Sequence, residues 1–367
     1  MEHAKYITPG AHARAGIPAR PRVAVATGGT REEAVRGAIA LVREDILAKV
    51  RGHVVVKPNF LSSVTCLAST QAGAVRPVLE LLRESRAESV TVAEGASRST
   101  RQAYDRFGYR ELEREFGVEL LDLNRDRYSR TIEVFTETGG KHLIGYADRI
   151  AAADTVISVA VAKTHDFSAV TLSLKNMMGC LKRVKRPRMH GLRLGWLVEN
   201  TGEALWNVIE DRSHIIKMVS GAMFRIVRFS RNIQKKLTGG RMPGLLSQCR
   251  AIAENLAILG AALMPDIAVI DAFEAMEGEG PGGGTPVCMK LAVAGADPVA
   301  CDAVMAFMMG FDPLSVGFLA LAHERGLGVA DLEEIDTVGE NPRAHIRRLT
   351  PHSNYPYQMR WREAWKD

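Results

Sequence analysis

Residues Thr155–Val161 read TVISVAV, and the chain then turns polar at Lys163-Thr164-His165. A run that is uncharged and rich in β-branched side chains predicts a strand covered on both faces, as in a parallel sheet sandwiched by helices. Similar runs lie on either side. Arg22–Ala26 (RVAVA), His53–Lys57 (HVVVK), Ser89–Ala93 (SVTVA) and Val118–Leu123 precede it, and Ile267–Ile270 and Cys288–Ala294 follow. Between them the pattern predicts a helix from Arg31 to Val50, a second over Gln71–Ser85 and a third beginning at Thr100–Phe107. Thr30 is placed to cap the first of these, with Glu32 and Glu33 at its positive end. The alternation predicts an α/β fold with a Rossmann-like, mainly parallel sheet and helices on both faces.

Open sheets of this kind bind ligands beyond the carboxyl ends of their strands. The residues that follow each run are therefore the informative ones. They are Pro58-Asn59-Phe60, Glu94-Gly95-Ala96-Ser97, Lys163-Thr164-His165, and Asp271 with the glycine-rich stretch to Gly284.

Val161–His190 reads VAKTHDFSAVTLSLKNMMGCLKRVKRPRMH. Lys163, His165, Lys175 and His190 are the expected catalytic residues, because imidazole works as acid or base near neutral pH and a desolvated lysine becomes a base or nucleophile. The bland alternative is a polar loop with solvated lysines and structural histidines. Asn59, Glu94, Ser97, Asn176 and Asp271 are expected around the same cleft. Lys182, Arg183, Lys185, Arg186 and Arg188 form a positive run beside His190; it attracts a carboxylate or phosphate, or is a solvated charge run. In Glu274–Gly284 (EAMEGEGPGGG) the glycines, Gly280 among them, permit close backbone approach to an anion or simply make a flexible turn. Glu277 or Glu279 is a candidate base or metal ligand.

Composition narrows the classes. The 367 residues are 46% hydrophobic and 25% charged, an ordinary globular balance. The formal net charge of +6 and an aromatic content of 6% give no stacking platform for nucleic acid, and none is expected as partner. Cys66, Cys180, Cys249, Cys288 and Cys301 are scattered without a C-x-x-C, which predicts reduced thiols in a cytoplasmic chain. No uncharged apolar run approaches the roughly 18 residues of a membrane span. Residues 1–20 are expected to be a flexible tail, 21–350 one α/β domain, and 351–367 a C-terminal tail. A helical insertion is expected at 196–260. Within it Arg212–Arg250 carries nine Arg and Lys and no acid. Ile215, Val219, Ile226 and Phe229 would share one helical face opposite Lys217, Arg225, Arg228 and Arg231. That face suits a lid, a homo-oligomer contact or an anionic membrane surface.

The blocks VVVKPNF, VAEGASRST, AKTHDFSAVTLSLKNMMG, IDAFEAMEGEGPGGGTP and AGADPVACDAVMAFMMG, in this order, resemble the domain-of-unknown-function 362 family. Some members carry a ferredoxin-like module; this chain lacks the close-spaced cysteines of one, so the resemblance implies no iron–sulfur cluster. The chain also resembles the amino-terminal domain of lactate racemase, which attaches a nickel-pincer cofactor to a lysine. That resemblance implies an acid–base role for His165, cofactor attachment at Lys175 and a metal-ligand role for His190. The racemases have a histidine after the third strand, where this chain reads Gly95-Ala96-Ser97-Arg98, so two-base racemisation is not implied.

The leading expectation is an isomerase- or oxidoreductase-like enzyme that moves a proton or hydride on a small anionic metabolite in a Lys/His-lined cleft, its cofactor open between none, a metal ion and the nickel-pincer group. The alternatives are a non-catalytic metal-handling or redox-accessory protein and a peripheral membrane-surface protein.

Overall fold

A computed structural model describes residues 20–192 and 244–365. Eleven strands are found among them: β1 (Arg22–Thr27), β2 (Gly52–Lys57), β3 (Ala87–Glu94), β4 (Glu119–Asp122), β5 (Arg130–Phe135), β6 (Lys141–Tyr146), β7 (Thr155–His165), β8 (Ala169–Thr171), β9 (Ile267–Glu277), β10 (Thr285–Gly295) and β11 (Asp336–Gly339). Nine form one sheet in the order β11-β1-β10-β9-β7-β2-β3-β4, with β8 paired to β7, and β5 and β6 make a separate hairpin. β9, β7, β2, β3 and β4 are parallel to one another, and β1 is parallel to β11. β10 runs against both of its neighbours. The sheet is thus mainly parallel, as expected, with β10 reversed inside it and the short β8 antiparallel to β7.

Helices cover both faces. Arg31–Leu41, Ala72–Arg83, Thr100–Arg106 and Tyr109–Phe116 close one apolar core, in which Val54, Val56, Val92, Ile157 and Val159 are buried. Leu245–Leu263, Pro298–Met308 and Gly317–Glu324 close the other, over Val55, Ala93, Ala162, Ile270 and Val293. Alternate residues of one strand thus enter different cores, which is why the central strands read as unbroken apolar runs.

Several boundaries differ from the expectations. Thr30 caps its helix through a reciprocal pair with Glu33, but the helix ends at Leu41 and a short one, Arg43–Leu47, follows. β7 runs on to His165 because β8 folds back and pairs Lys163 with Thr171 and His165 with Ala169. β9 runs to Glu277 as half of a hairpin with β10. Residues 245–260, expected within the insertion, instead belong to a core helix that buries Leu245, Cys249, Ile252 and Leu256. The segment expected as a C-terminal tail is folded onto the domain through residue 365, with Gln358 and Trp361 buried. The expectations for 1–19 and for the basic segment through 243 lie outside the described residues. Among those described, no helix is long and apolar enough to cross a membrane.

Candidate active site

The carboxyl ends of β2, β3 and β7 meet at a buried polar cluster. Lys57, the last residue of β2, has no exposed surface, and its ammonium pairs with Glu94, the last residue of β3. Lys57 Nζ also donates to Pro58 O (3.0 Å) and Asn176 Oδ1 (2.9 Å). Burial pushes the Glu94 carboxyl up, and the Lys57 charge opposes it. The Asn176 amide is fully engaged: Oδ1 also accepts from Asn59 Nδ2 (3.1 Å), while Nδ2 donates to Lys57 O (3.1 Å) and Ser158 Oγ (3.0 Å). Asn59 Oδ1 in turn accepts from Lys163 Nζ (2.6 Å), which donates also to Ala68 O (2.7 Å). Gly179 closes this cluster, and a methyl group on it would collide with the Glu94 carboxylate and the Lys57 ammonium. Only glycine permits so close a backbone approach.

Lys163 and Lys175 are both buried, and neither has a carboxylate in direct contact among the described residues. Burial lowers the pKa of Lys163 to about 7, with the Lys175 charge adding to the effect and Glu94 opposing it, and burial lowers that of Lys175 to about 8 against the charge of Asp166. An ammonium moved out of water favours its neutral form unless an anion compensates it. Among the described residues the Lys175 ammonium has a single polar contact, Met178 Sδ at 3.2 Å. His165 lies two residues beyond Lys163 on β7. Burial, then the nearby Lys175 and His190, holds its imidazole well below the usual histidine range, so the ring is neutral. Its Nδ1 accepts from the N–H groups of Phe167 (3.0 Å) and Ser168 (3.3 Å), which places the ring proton on Nε2. Asp166 Oδ1 lies 3.1 Å from the same Nδ1 and is placed to pair with the ring once it is protonated. The His190 ring stacks on His165 at 5.6 Å between centroids and 8° between planes, with Phe167 against it at 5.2 Å.

The four expected residues Lys163, His165, Lys175 and His190 therefore share one region, and Asn59, Glu94 and Asn176 join it through hydrogen bonds. Other expected residues do not. Asp271 sits inside β9 and binds Arg31 (2.6 Å); an irregularity in the β7–β9 pairing lies between it and the Lys163 level. Arg186, expected to attract an anion, instead donates to Leu181 O (2.9 Å), Gly95 O (2.6 Å), Asn124 Oδ1 (2.9 Å) and Gly179 O (2.9 Å) and acts as an internal clamp. Lys182 lies over the Tyr128 ring at 6.0 Å. Ser97 is exposed, its backbone N–H bonded to Phe60 O (3.3 Å). Glu277 accepts from Thr350 N (2.7 Å), and Glu279 from Ser353 N (3.0 Å), so both hold the C-terminal segment. Gly280 packs against the Thr164 backbone, where a side chain would not fit, and carries its turn to the end of β7.

Three contributors were not among the expected residues. Lys57 ends the run HVVVK, and a charge closing an otherwise apolar strand was the available signal. Asp302, fully buried, accepts from Ser173 N (2.8 Å), Ser173 Oγ (2.5 Å) and Leu174 N (3.0 Å) and so fixes the helix Ser173–Asn176 that bears Lys175. Gln358 Nε2 donates to His165 O (2.7 Å) from a segment with no local mark of such a role. Among the described residues no group of three His, Cys, Asp or Glu side chains is arranged to hold a metal ion, so the ligand role expected for His190 has no companion ligands there.

A family model described as "Domain of unknown function (DUF362)" matches residues 54–307. The Thylakoid-associated protein sll1697 of Synechocystis sp. is 22% identical over 279 residues, which cover 75% of this chain and 68% of that protein. These similarities bear on the first of the two resemblances read from the sequence and not on the racemase one.

Proposed function

The chain belongs to the Domain of unknown function (DUF362) family, and from that premise we propose that it is an enzyme that transfers a proton on a small anionic metabolite. The observation that carries this reading is the convergence of two buried lysines, Lys163 and Lys175, with the stacked imidazoles of His165 and His190 at the end of β7. Two ammonium groups in low dielectric without a carboxylate in contact favour an anionic guest, which would restore charge balance. The same burial makes one amine a base near pH 7 and keeps the His165 imidazole neutral. Asn59 would orient the guest, and Glu94 is already satisfied by Lys57. The test is deuterium exchange in D2O, followed by proton NMR, over a panel of small 2-hydroxy and 2-oxo carboxylates. We expect one class to exchange at carbon, and Lys175→Ala to lower that rate at least 100-fold with an almost unchanged melting temperature. Absence of exchange across the panel would overturn the reading.

A membrane-surface contact is a second reading, favoured by the basic composition of 212–250 and by the word thylakoid-associated in the name of the similar protein. Near an anionic surface each Lys or Arg adds about 1 kcal/mol. Salt-sensitive co-sedimentation with vesicles containing phosphatidylglycerol, and none with phosphatidylcholine alone, is the expected result; equal partition to both, or none, removes it.

A further inference from the structure

We propose that Lys175 is an amine nucleophile that condenses with the carbonyl of a small 2-oxo carboxylate to form a Schiff base. This rests on the reading of the same cleft as an enzyme site and narrows its substrate class. Three features of the geometry carry it.

First, the lysines are differently held. Lys163 Nζ is anchored by Asn59 Oδ1 and Ala68 O, which use two of its three N–H bonds. It is a tethered amine with one donor left, suited to hold a substrate carboxylate by a hydrogen bond. Among the described residues Lys175 Nζ touches only the soft sulfur of Met178, so little there must be broken for its nitrogen to attack. Second, each lysine is buried, and the Lys175 charge acts on Lys163. Desolvation is a recognised way to free an amine lone pair near neutral pH. For Lys175 burial lowers the pKa to about 8 against the opposing charge of Asp166. Third, His165 lies close enough for the Lys175 charge to depress its basicity, and its free proton is on Nε2. Imine formation needs such a group to give a proton to the departing oxygen. Met178, Gly179 and His190 are half-buried, whereas Leu174, Asn176 and Met177 are buried.

The step balances without a further reactant. The neutral Nζ forms a bond to the carbonyl carbon, giving a carbinolamine. The C–O bond then breaks, and the oxygen leaves as water with the two hydrogens that Nζ gives up, relayed through His165. The C=N group left behind acidifies the adjacent C–H, which links this chemistry to proton transfer at the same site.

The experiment is borohydride trapping on the full chain with pyruvate, glyoxylate or 2-oxoglutarate, read by intact mass and peptide mapping. Hydride adds to the imine carbon and fixes the adduct as a secondary amine. The expected result is a mass gain of one reduced adduct, mapped to Lys175, with a yield that rises with pH through about 8. Lys175→Arg keeps the cation and should lose the adduct at least tenfold. No adduct with any of the three acids, an adduct mapped to Lys163 or to surface lysines, or an undiminished adduct in Lys175→Arg would overturn the proposal. Should that variant not fold, the mapping on the unaltered chain decides alone. Deuterium exchange without trapping leaves the proton-transfer reading standing and removes this one; trapping without exchange does the reverse.

Discussion

Lys57 and Glu94 show how much a pair of residues contributes to the buried polar cluster. Both are almost wholly buried, and each is the other's counter-charge. Breaking such a pair leaves one charge uncompensated in low dielectric, which costs more than the pair itself contributes. Lys57→Met should destabilise the protein by about 3–5 kcal/mol in urea titration, and adding Glu94→Leu should restore a large part of it. An equal or larger loss in the double variant would mean that the pair matters through packing. Lys57 was legible only as a polar full stop to HVVVK, since its partner Asn176 is 119 residues away. The Lys163/His165 pair was legible because both follow an apolar run directly.

At the scale of the element, the helix Ser173–Asn176 is too short to hold itself. Asp302 binds its first N–H groups, and Asn176 ties its end to β2 and to Ser158. Lys175 is thus positioned from both sides by residues that do not touch its ammonium. Burial raises the Asp302 pKa from the ordinary 3.8 to about 7 against the pull of these hydrogen bonds. A carboxyl whose pKa is higher in the fold binds protons more tightly there than in the unfolded chain. Its contribution to stability is therefore full below pH 3.8 and is lost as pH rises through about 7. Asp302→Asn should flatten the stability–pH curve in that window, measured by thermal melts from pH 4 to 8; an unchanged slope would assign the dependence to other groups. The sequence marked Lys175 by its type and its distance from His165. It could not mark Asp302, which lies in an otherwise apolar helix and reaches Ser173 across 129 residues.

At the scale of the molecule, the parallel strands bring three loop regions to one edge, while the reversed β10 converts the expected end of β9 into the middle of a hairpin. That change leaves Asp271 inside the strand with Arg31 and brings the glycine-rich turn to Thr164. The C-terminal segment then crosses the same edge: Asn354 donates to Asp166 O (2.8 Å), Gln358 to His165 O, and His352 faces Glu279 at 3.1 Å. A stretch that reads as a polar tail is thereby a support for the histidine end of the site.

The sequence by itself determined the α/β class, the central strand, the family and the Lys–His group that follows β7, because each is written in neighbouring residues: apolar runs, caps and the first polar positions after a strand. Tertiary structure alone decided that Lys57 pairs with Glu94, that Arg186 is a clamp, that Asp271 belongs to Arg31, and that Asp302 and Gln358 hold Ser173 and His165. Those assignments depend on which buried polar group finds a partner across the fold, and a buried donor or acceptor must find one wherever the chain brings it.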